Sequence, residues 1–147
     1  MSDDSAAIPV VVLDTTTLVQ SISTRGPFHR IIEAFYEGRL VLVVSHAILL
    51  EYEEVLRRIG GPLAWPVFEA LLEARADSVR RANPTYSWTA IPQDPDDDKF
   101  VEAAVAKKAR WIVTTDGHFD ALKRQDLLAV RPIHPREFID QYLTPLG

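Results

Sequence analysis

The 147-residue sequence has no cysteine, one methionine, six glycines and four histidines. Without thiols there is no disulfide framework, no cysteine nucleophile, no iron–sulfur cluster and no cysteine-ligated zinc, a composition that suits a reducing compartment. The histidines, at positions 29, 46, 118 and 134, show no zinc-type spacing. Long apolar runs are also missing. The longest, Ile8 to Leu13 and Leu40 to Val44, fall far short of the ~20 residues that a membrane span needs. No basic stretch followed by an apolar one opens the chain, so a cytoplasmic protein with no membrane attachment is expected. An excess of positive charge is lacking too. Sixteen Lys and Arg against 21 Asp and Glu leave a net charge of -5, which argues against gripping nucleic acid by bulk charge and leaves room for a local basic surface.

What is present is an ordinary globular composition, 47% hydrophobic and 25% charged. A chain of this length buries roughly two-thirds of its unfolded surface and supports a core without staples. The expected organisation is a polar leader over residues 1–7 and a single domain over 8–147. Ile8 to Leu13 reads as a strand buried on both faces, with Pro9 tolerated at its start. Pro27 suits a first helical turn, and Phe28, Ile31, Ile32 and Phe35 follow at helical spacing until Gly38. Leu40 to Val44 is a second buried strand, and Ser45 is a good N-cap for a helix with Ile48, Leu49, Tyr52, Val55, Leu56 and Ile59 on its apolar face. After the break at Gly60-Gly61-Pro62, Trp65, Phe68, Leu71 and Leu72 mark another helix.

Ser78 to Gln93 alternates weakly and fits a loop or an edge strand. A helix starting at Asp96 or Asp97 carries Phe100, Val101, Ala104 and Val105. The strand Trp111 to Thr114 follows, then a strand over Leu128 to Ile133 and a helix over Pro135 to Leu143. Strands alternating with helices, each strand a near-continuous apolar run, define an α/β fold with a parallel sheet covered on both faces. Ligands of such sheets bind at the carboxyl ends of the strands, near a switch in strand order.

Four acids fall where that rule points. Asp14 follows the first strand, Asp116 follows the strand Trp111 to Thr114, Asp97 sits at the start of the helix leading to it, and Glu51 lies two turns into the helix after the second strand. Like charges brought together raise each other's pKa and cost stability unless a cation neutralises them. Hard oxygen ligands select Mg²⁺ or Mn²⁺, and such an ion activates water and stabilises phosphoryl oxygens for phosphodiester hydrolysis. Each acid also has a plainer reading. Asp97 suits a helix cap, Asp14 and Asp116 suit turns or N-caps, and Glu53 flanks the same apolar stripe as Glu51 from the other side. Periodicity does not choose between the two glutamates.

The segments around these acids resemble a known family. Val11 to Val19, with Asp14-Thr15-Thr16 after a hydrophobic strand, resembles the opening motif of PIN-domain ribonucleases. Ser45 to Leu56 resembles their second motif, which implies Glu51 as its acid. Asp94 to Ala104 resembles the third, which implies Asp97, and Trp111 to Asp116 resembles the fourth. Ile133 to Phe138 is similar to the family's closing strand and helix, so the likeness covers nearly the whole chain. It is nearest to the VapC-like toxins of toxin–antitoxin systems. The resemblance implies a PIN-like three-layer α/β/α sandwich around a mostly parallel sheet. It further implies a Mg²⁺- or Mn²⁺-dependent endoribonuclease with Asp14, Glu51, Asp97 and Asp116 as catalytic and metal-binding residues, an RNA substrate, an antitoxin partner and a homodimer.

One position departs from the pattern. Thr16 stands where the family usually has asparagine, so a hydroxyl replaces an amide in a supporting place around the metal ligands. This departure keeps open a PIN-fold binding module with weak or no catalysis. A haloacid-dehalogenase-like phosphatase with Asp14 as nucleophile is a further alternative, but it needs a second aspartate where Thr16 stands. Arg25 and Arg30 are candidate RNA phosphate contacts. Trp65, Trp88 and Trp111 are expected in the core or at an interface rather than stacked on bases.

Overall fold

In the computed structural model, residues 7–83, 98–124 and 129–144 are described. The order of elements follows from the alternation of apolar runs and amphipathic segments. Strand β1 spans Val10–Leu13 and leads into helix α1, Thr15–Ile22, and then α2, His29–Tyr36. Strand β2, Val41–Ser45, continues directly into α3, His46–Ile59, followed by α4, Ala64–Ala74, and strand β3, Val79–Ala82. Helix α5, Asp98–Ala106, precedes strand β4, Trp111–Val113; a 3-10 segment, Gly117–Arg124, separates it from strand β5, Arg131–Ile133. The chain closes with α6, Pro135–Phe138, which widens into a π turn over Ile139–Leu143.

All strand pairings are parallel and the order is β3-β2-β1-β4-β5. Because parallel crossovers are right-handed, the progression β1 to β2 to β3 carries α1 to α4 over one face, and the reversal to β4 and β5 carries α5 over the other. The packing agrees. Helix α1 touches α2 and α3, α3 touches α4, and α5 lies on β1, β2 and β4. The fold is an α/β/α sandwich, as expected. Strands β1, β2 and β4 are buried at Val11, Val12, Leu42, Val43, Val44, Ile112 and Val113, which is why their sequences run apolar without alternation. Phe35, Phe68, Phe100, Phe119 and Phe138 fill the space between sheet and helices.

The two edges are protected by composition. Strand β3 exposes Arg80 and Arg81, and β5 carries Pro132, which removes a ladder donor; both devices discourage pairing with another chain. The weakly alternating segment from Ser78 thus contains an edge strand, whereas its Tyr86, Trp88 and Ala90 lie outside the described residues. Trp65 is buried, and Trp111 donates through Nε1 to the Tyr142 hydroxyl at 2.9 Å, so both serve packing.

Several boundaries follow local chemistry. Gly38 ends the α2 region at φ 76°, a backbone state that other residues resist. Ser45 Oγ accepts the Ile48 N–H at 3.2 Å and so caps α3 as expected. Of the apolar face assigned to α3, Ile48, Tyr52 and Leu56 are buried, but Ile59 is exposed, one residue before the helix stops at Gly60. Helix α1 was not expected. Its Thr15-Thr16-Thr17 start is poor helix-forming sequence, and the helix exists because Asp14 caps it and Leu18 and Thr17 are buried beneath it.

Removing the α3 cap tests this account. Ser45→Ala should cost about 1 kcal/mol, read as a lower midpoint in chemical denaturation with an unchanged slope. A midpoint equal to that of the parent would show that the cap contributes nothing.

Candidate active site

The reversal of strand order falls between β1 and β4, and the chain leaves those two strands at Asp14 and Asp116. The ladder continues one step past the strands: the Asp14 N–H donates to the Val113 carbonyl at 3.2 Å, and the Thr114 N–H to the Ile133 carbonyl at 2.9 Å. These bonds hold the two aspartates side by side at the carboxyl end of the sheet.

Asp14 is the N-cap of α1, with Oδ1 accepting the Thr17 N–H at 2.8 Å. Its Oδ2 accepts a short hydrogen bond from the Thr114 hydroxyl. That same Thr114 oxygen accepts the Asp116 N–H at 2.9 Å, so one hydroxyl ties both strand ends together. Asp14 is only 6% exposed. Burial pushes its pKa above the ordinary 3.8; the Thr114 and Thr17 hydrogen bonds oppose the rise, and the charge on Asp116 adds to it. Asp116 is more open. Its Oδ1 accepts the His118 N–H at 2.9 Å, and the His118 ring Nδ1 stands 3.4 Å from the same oxygen.

Glu51 reaches the same region from α3. The Tyr52 hydroxyl, fully buried, donates to the Leu13 carbonyl at 2.5 Å and anchors the helix beneath the end of β1. Burial first, and then the charges of Asp14 and Glu51, raise the Tyr52 pKa well above 10, which keeps that donor protonated. With Tyr52 pointing into the core, Glu51 and Glu53 are turned to opposite sides of it. Glu53 forms an ion pair with Arg57, one turn along the same helix, at 2.8 Å. Glu51 Oε2 accepts a short hydrogen bond from the Thr15 hydroxyl, next to Asp14, and its Oε1 lies 2.7 Å from Lys99 Nζ on α5. The two glutamates are about equally exposed, and tertiary partners distinguish them: Glu51 meets Thr15 and Lys99, and Glu53 meets only a residue of its own helix among its described ion pairs.

Asp97 lies outside the described residues. Its neighbour Asp98 opens α5 and is buried, making contacts of its own. Thr16 is exposed on the first turn of α1, while the hydroxyls that touch the acids belong to Thr15 and Thr114. Sequence reasoning missed those two threonines, Tyr52 and Lys99. The threonines each stand one or two residues from a predicted acid; the helical spacing gives the burial of Tyr52 but not its bond to Leu13, and nothing in the local pattern points to Lys99. Arg25 is exposed, and Arg30 pairs with Glu37 at 3.1 Å.

Among the described residues, no three acidic or histidine side chains stand close enough to hold a metal ion between them. The donor set nevertheless suits a hard divalent ion. Mg²⁺ commonly binds through one or two carboxylates and keeps several waters, and Asp14 is a buried carboxylate held by a hydroxyl and an amide with a second carboxylate alongside. A cleft of about 220 Å³ opens beside Asp116, bordered by Thr115, Asp120, Lys123, His134 and Glu137. It reaches Thr114 and Asp116, and neither Asp14 nor Glu51 lines it.

The raised pKa of Asp14 has a stability consequence of definite sign. Between pH 3.8 and its folded value, the folded state binds more protons than the unfolded chain, so this group's contribution to stability falls as pH rises through that window. Asn keeps the capping oxygen without the charge. The stability of metal-free Asp14→Asn relative to the parent should therefore increase as pH rises from 3.8 toward 7. Thermal melts across pH check this, and a difference in midpoint that stays flat or shrinks over that range would contradict it.

Residues 10–118 match the family model described as the PIN domain. No curated protein matches the chain.

Proposed function

Since the chain belongs to the PIN-domain family, whose members are generally nucleases, we propose that it is a metal-dependent endoribonuclease that hydrolyses RNA phosphodiester bonds. The observation that carries this reading is Asp14, a buried carboxylate at the switch point of the sheet, held by uncharged donors with Asp116 beside it. A carboxylate kept in that state has its charge available for a cation and, through it, for a phosphate.

Asp14 and Asp116 are the ligands of Mg²⁺ or Mn²⁺ in this proposal, with Asp97 as a further ligand and Glu51 as ligand or water-orienting group. When bound, the ion supplies a Lewis acid at the phosphoryl oxygens and offsets the charge that develops there. The chain's own residues do the rest. Thr114 and Thr17 fix the Asp14 carboxylate, and the Thr114 hydroxyl and the His118 N–H fix Asp116. Glu51, one third exposed, is the group that would orient an attacking water. Thr16, exposed on the first turn of α1, would take a supporting place around the bound ion in this proposal. The biological role that follows from the VapC-like resemblance is the toxin of a toxin–antitoxin pair, acting in the cytoplasm as a homodimer and restrained by an antitoxin protein. No helix of the described residues is long and apolar enough to cross a membrane.

Mn²⁺-dependent cleavage of RNA should fall at least ~100-fold in Asp14→Asn and in Asp116→Asn, each shown to be folded by circular dichroism. If both folded variants cut like the parent, the assignment fails. A parent without cleavage would favour a binding module, and a covalent phosphate on Asp14 would favour a phosphatase. The third acid is tested without any substrate. Calorimetric Mn²⁺ titration should show weakened binding in Asp97→Asn, and Asp98→Asn measured beside it shows whether the effect belongs to position 97. Unchanged affinity in Asp97→Asn would remove it from the ligand set.

A further inference from the structure

Glu51 differs from the other two acids in what holds it. Asp14 contacts a hydroxyl and an amide, and Asp116 contacts an amide and a histidine ring, but Glu51 meets an ammonium. Lys99 Nζ is 2.7 Å from Glu51 Oε1, and the two side chains are 21% and 33% exposed. The other oxygen of Glu51 is taken by the Thr15 hydroxyl. Both oxygens are therefore engaged, one of them by a full positive charge. The Lys99 ammonium also lies 5.3 Å from the centroid of the Phe100 ring, so its stem runs along the start of α5.

We propose that Lys99 is a built-in counter-ion of the acidic site, an ammonium that neutralises Glu51 in the metal-free protein and must give it up when a divalent ion binds. The inference rests on the metal-binding reading above. Its physical basis is a competition between two cations for one carboxylate. Glu51 is half-buried, with one oxygen on the hydroxyl of Thr15, the neighbour of Asp14, and a lysine at hydrogen-bond distance neutralises its charge. The same lysine repels any cation brought to that carboxylate. Lysine suits the role because its charge is compact and sits on a flexible stem, so it can swing toward solvent without moving α5. Release of Lys99 frees Glu51 Oε1 for an incoming ion, and the Thr15 hydroxyl keeps the other oxygen in place.

The competition has readouts independent of cleavage. Lys99→Met keeps the stem and removes the charge. It should bind Mn²⁺ at least tenfold more tightly than the parent by calorimetry, equivalent to ~1.4 kcal/mol, while its metal-free form melts at a lower temperature and saturating Mn²⁺ narrows the difference. Lys99→Arg, which keeps the charge, should retain the parent's affinity. In a Glu51→Gln background the Lys99→Met change should leave Mn²⁺ affinity unaltered, because the contested carboxylate is gone. Affinity in Lys99→Met equal to or below that of the parent would overturn the proposal, and so would a gain that persists undiminished in the Glu51→Gln background, which would mark a general field effect. If neither the parent nor Lys99→Met binds Mn²⁺, the metal-binding reading itself falls and takes this proposal with it.

Discussion

The arrangement at the carboxyl end of the sheet depends on the burial of one carboxylate. Asp14 is removed from water at the end of β1, where an ionised group is costly, and its immediate contacts are dipoles. Much of the surrounding geometry follows from keeping it there. Its backbone N–H extends the ladder to β4, its side chain caps α1, and its second oxygen fixes Thr114, which in turn receives the Asp116 N–H. One residue thus closes a strand, opens a helix and joins the two halves of the sheet across the switch in strand order.

The second support lies underneath. Tyr52 ties α3 to the Leu13 carbonyl from inside the core, and together with Ile48 and Leu56 on the same buried stripe it sets which side of α3 faces the site. A helix anchored by Tyr52 must turn Glu51 to one side and Glu53 to the other, since neighbouring residues differ by about 100° around the axis. The side toward α1 and α5 offers Thr15 and Lys99, whereas Glu53 pairs with Arg57 of its own helix. Site geometry and core packing are consequently one problem here. The aromatic edge contact between Tyr52 and Phe68, with ring centroids 5.7 Å apart, links the same anchor to α4.

How much of this can be read from sequence depends on whether the cause is local. The buried strands are legible because burial on both faces leaves no polar positions to confuse the pattern, as in Val10–Leu13 and Val41–Ser45. Ser45 is legible as a cap because capping needs only three residues of context. Helix α1 is not legible in its own composition: three consecutive threonines disfavour a helix, and the compensation comes from Asp14 and from burial of Leu18 against the core. The terminal helix is legible in its start at Pro135, yet its widening into a π turn over Ile139–Leu143 leaves no local signature. At the site, the strand-end aspartates announce themselves by position. The choice of Glu51 over Glu53 and the presence of Lys99 arise from contacts 36 and 48 residues apart in the chain, which periodicity does not encode.

The contrast between Asp14 and Glu51 gives the site its character. A protein that needed only to tolerate buried acids would place a cation against each of them, and Lys99 shows that this chain does so at Glu51. At Asp14 it places a threonine hydroxyl and a peptide N–H instead. Those donors orient the carboxylate without cancelling its charge, and the remaining cost appears as a raised pKa. Stability alone does not favour that choice, because a neutral side chain of the same shape fills the position with less desolvation. Uncancelled charge in a fixed orientation is what a ligand for a hard cation requires, and local cost at such a position is the ordinary mark of a functional group. Under the proposed function, Asp14 and Glu51 then represent two solutions at one site: a carboxylate held open for an incoming cation, and a carboxylate covered by a cation that the chain itself supplies.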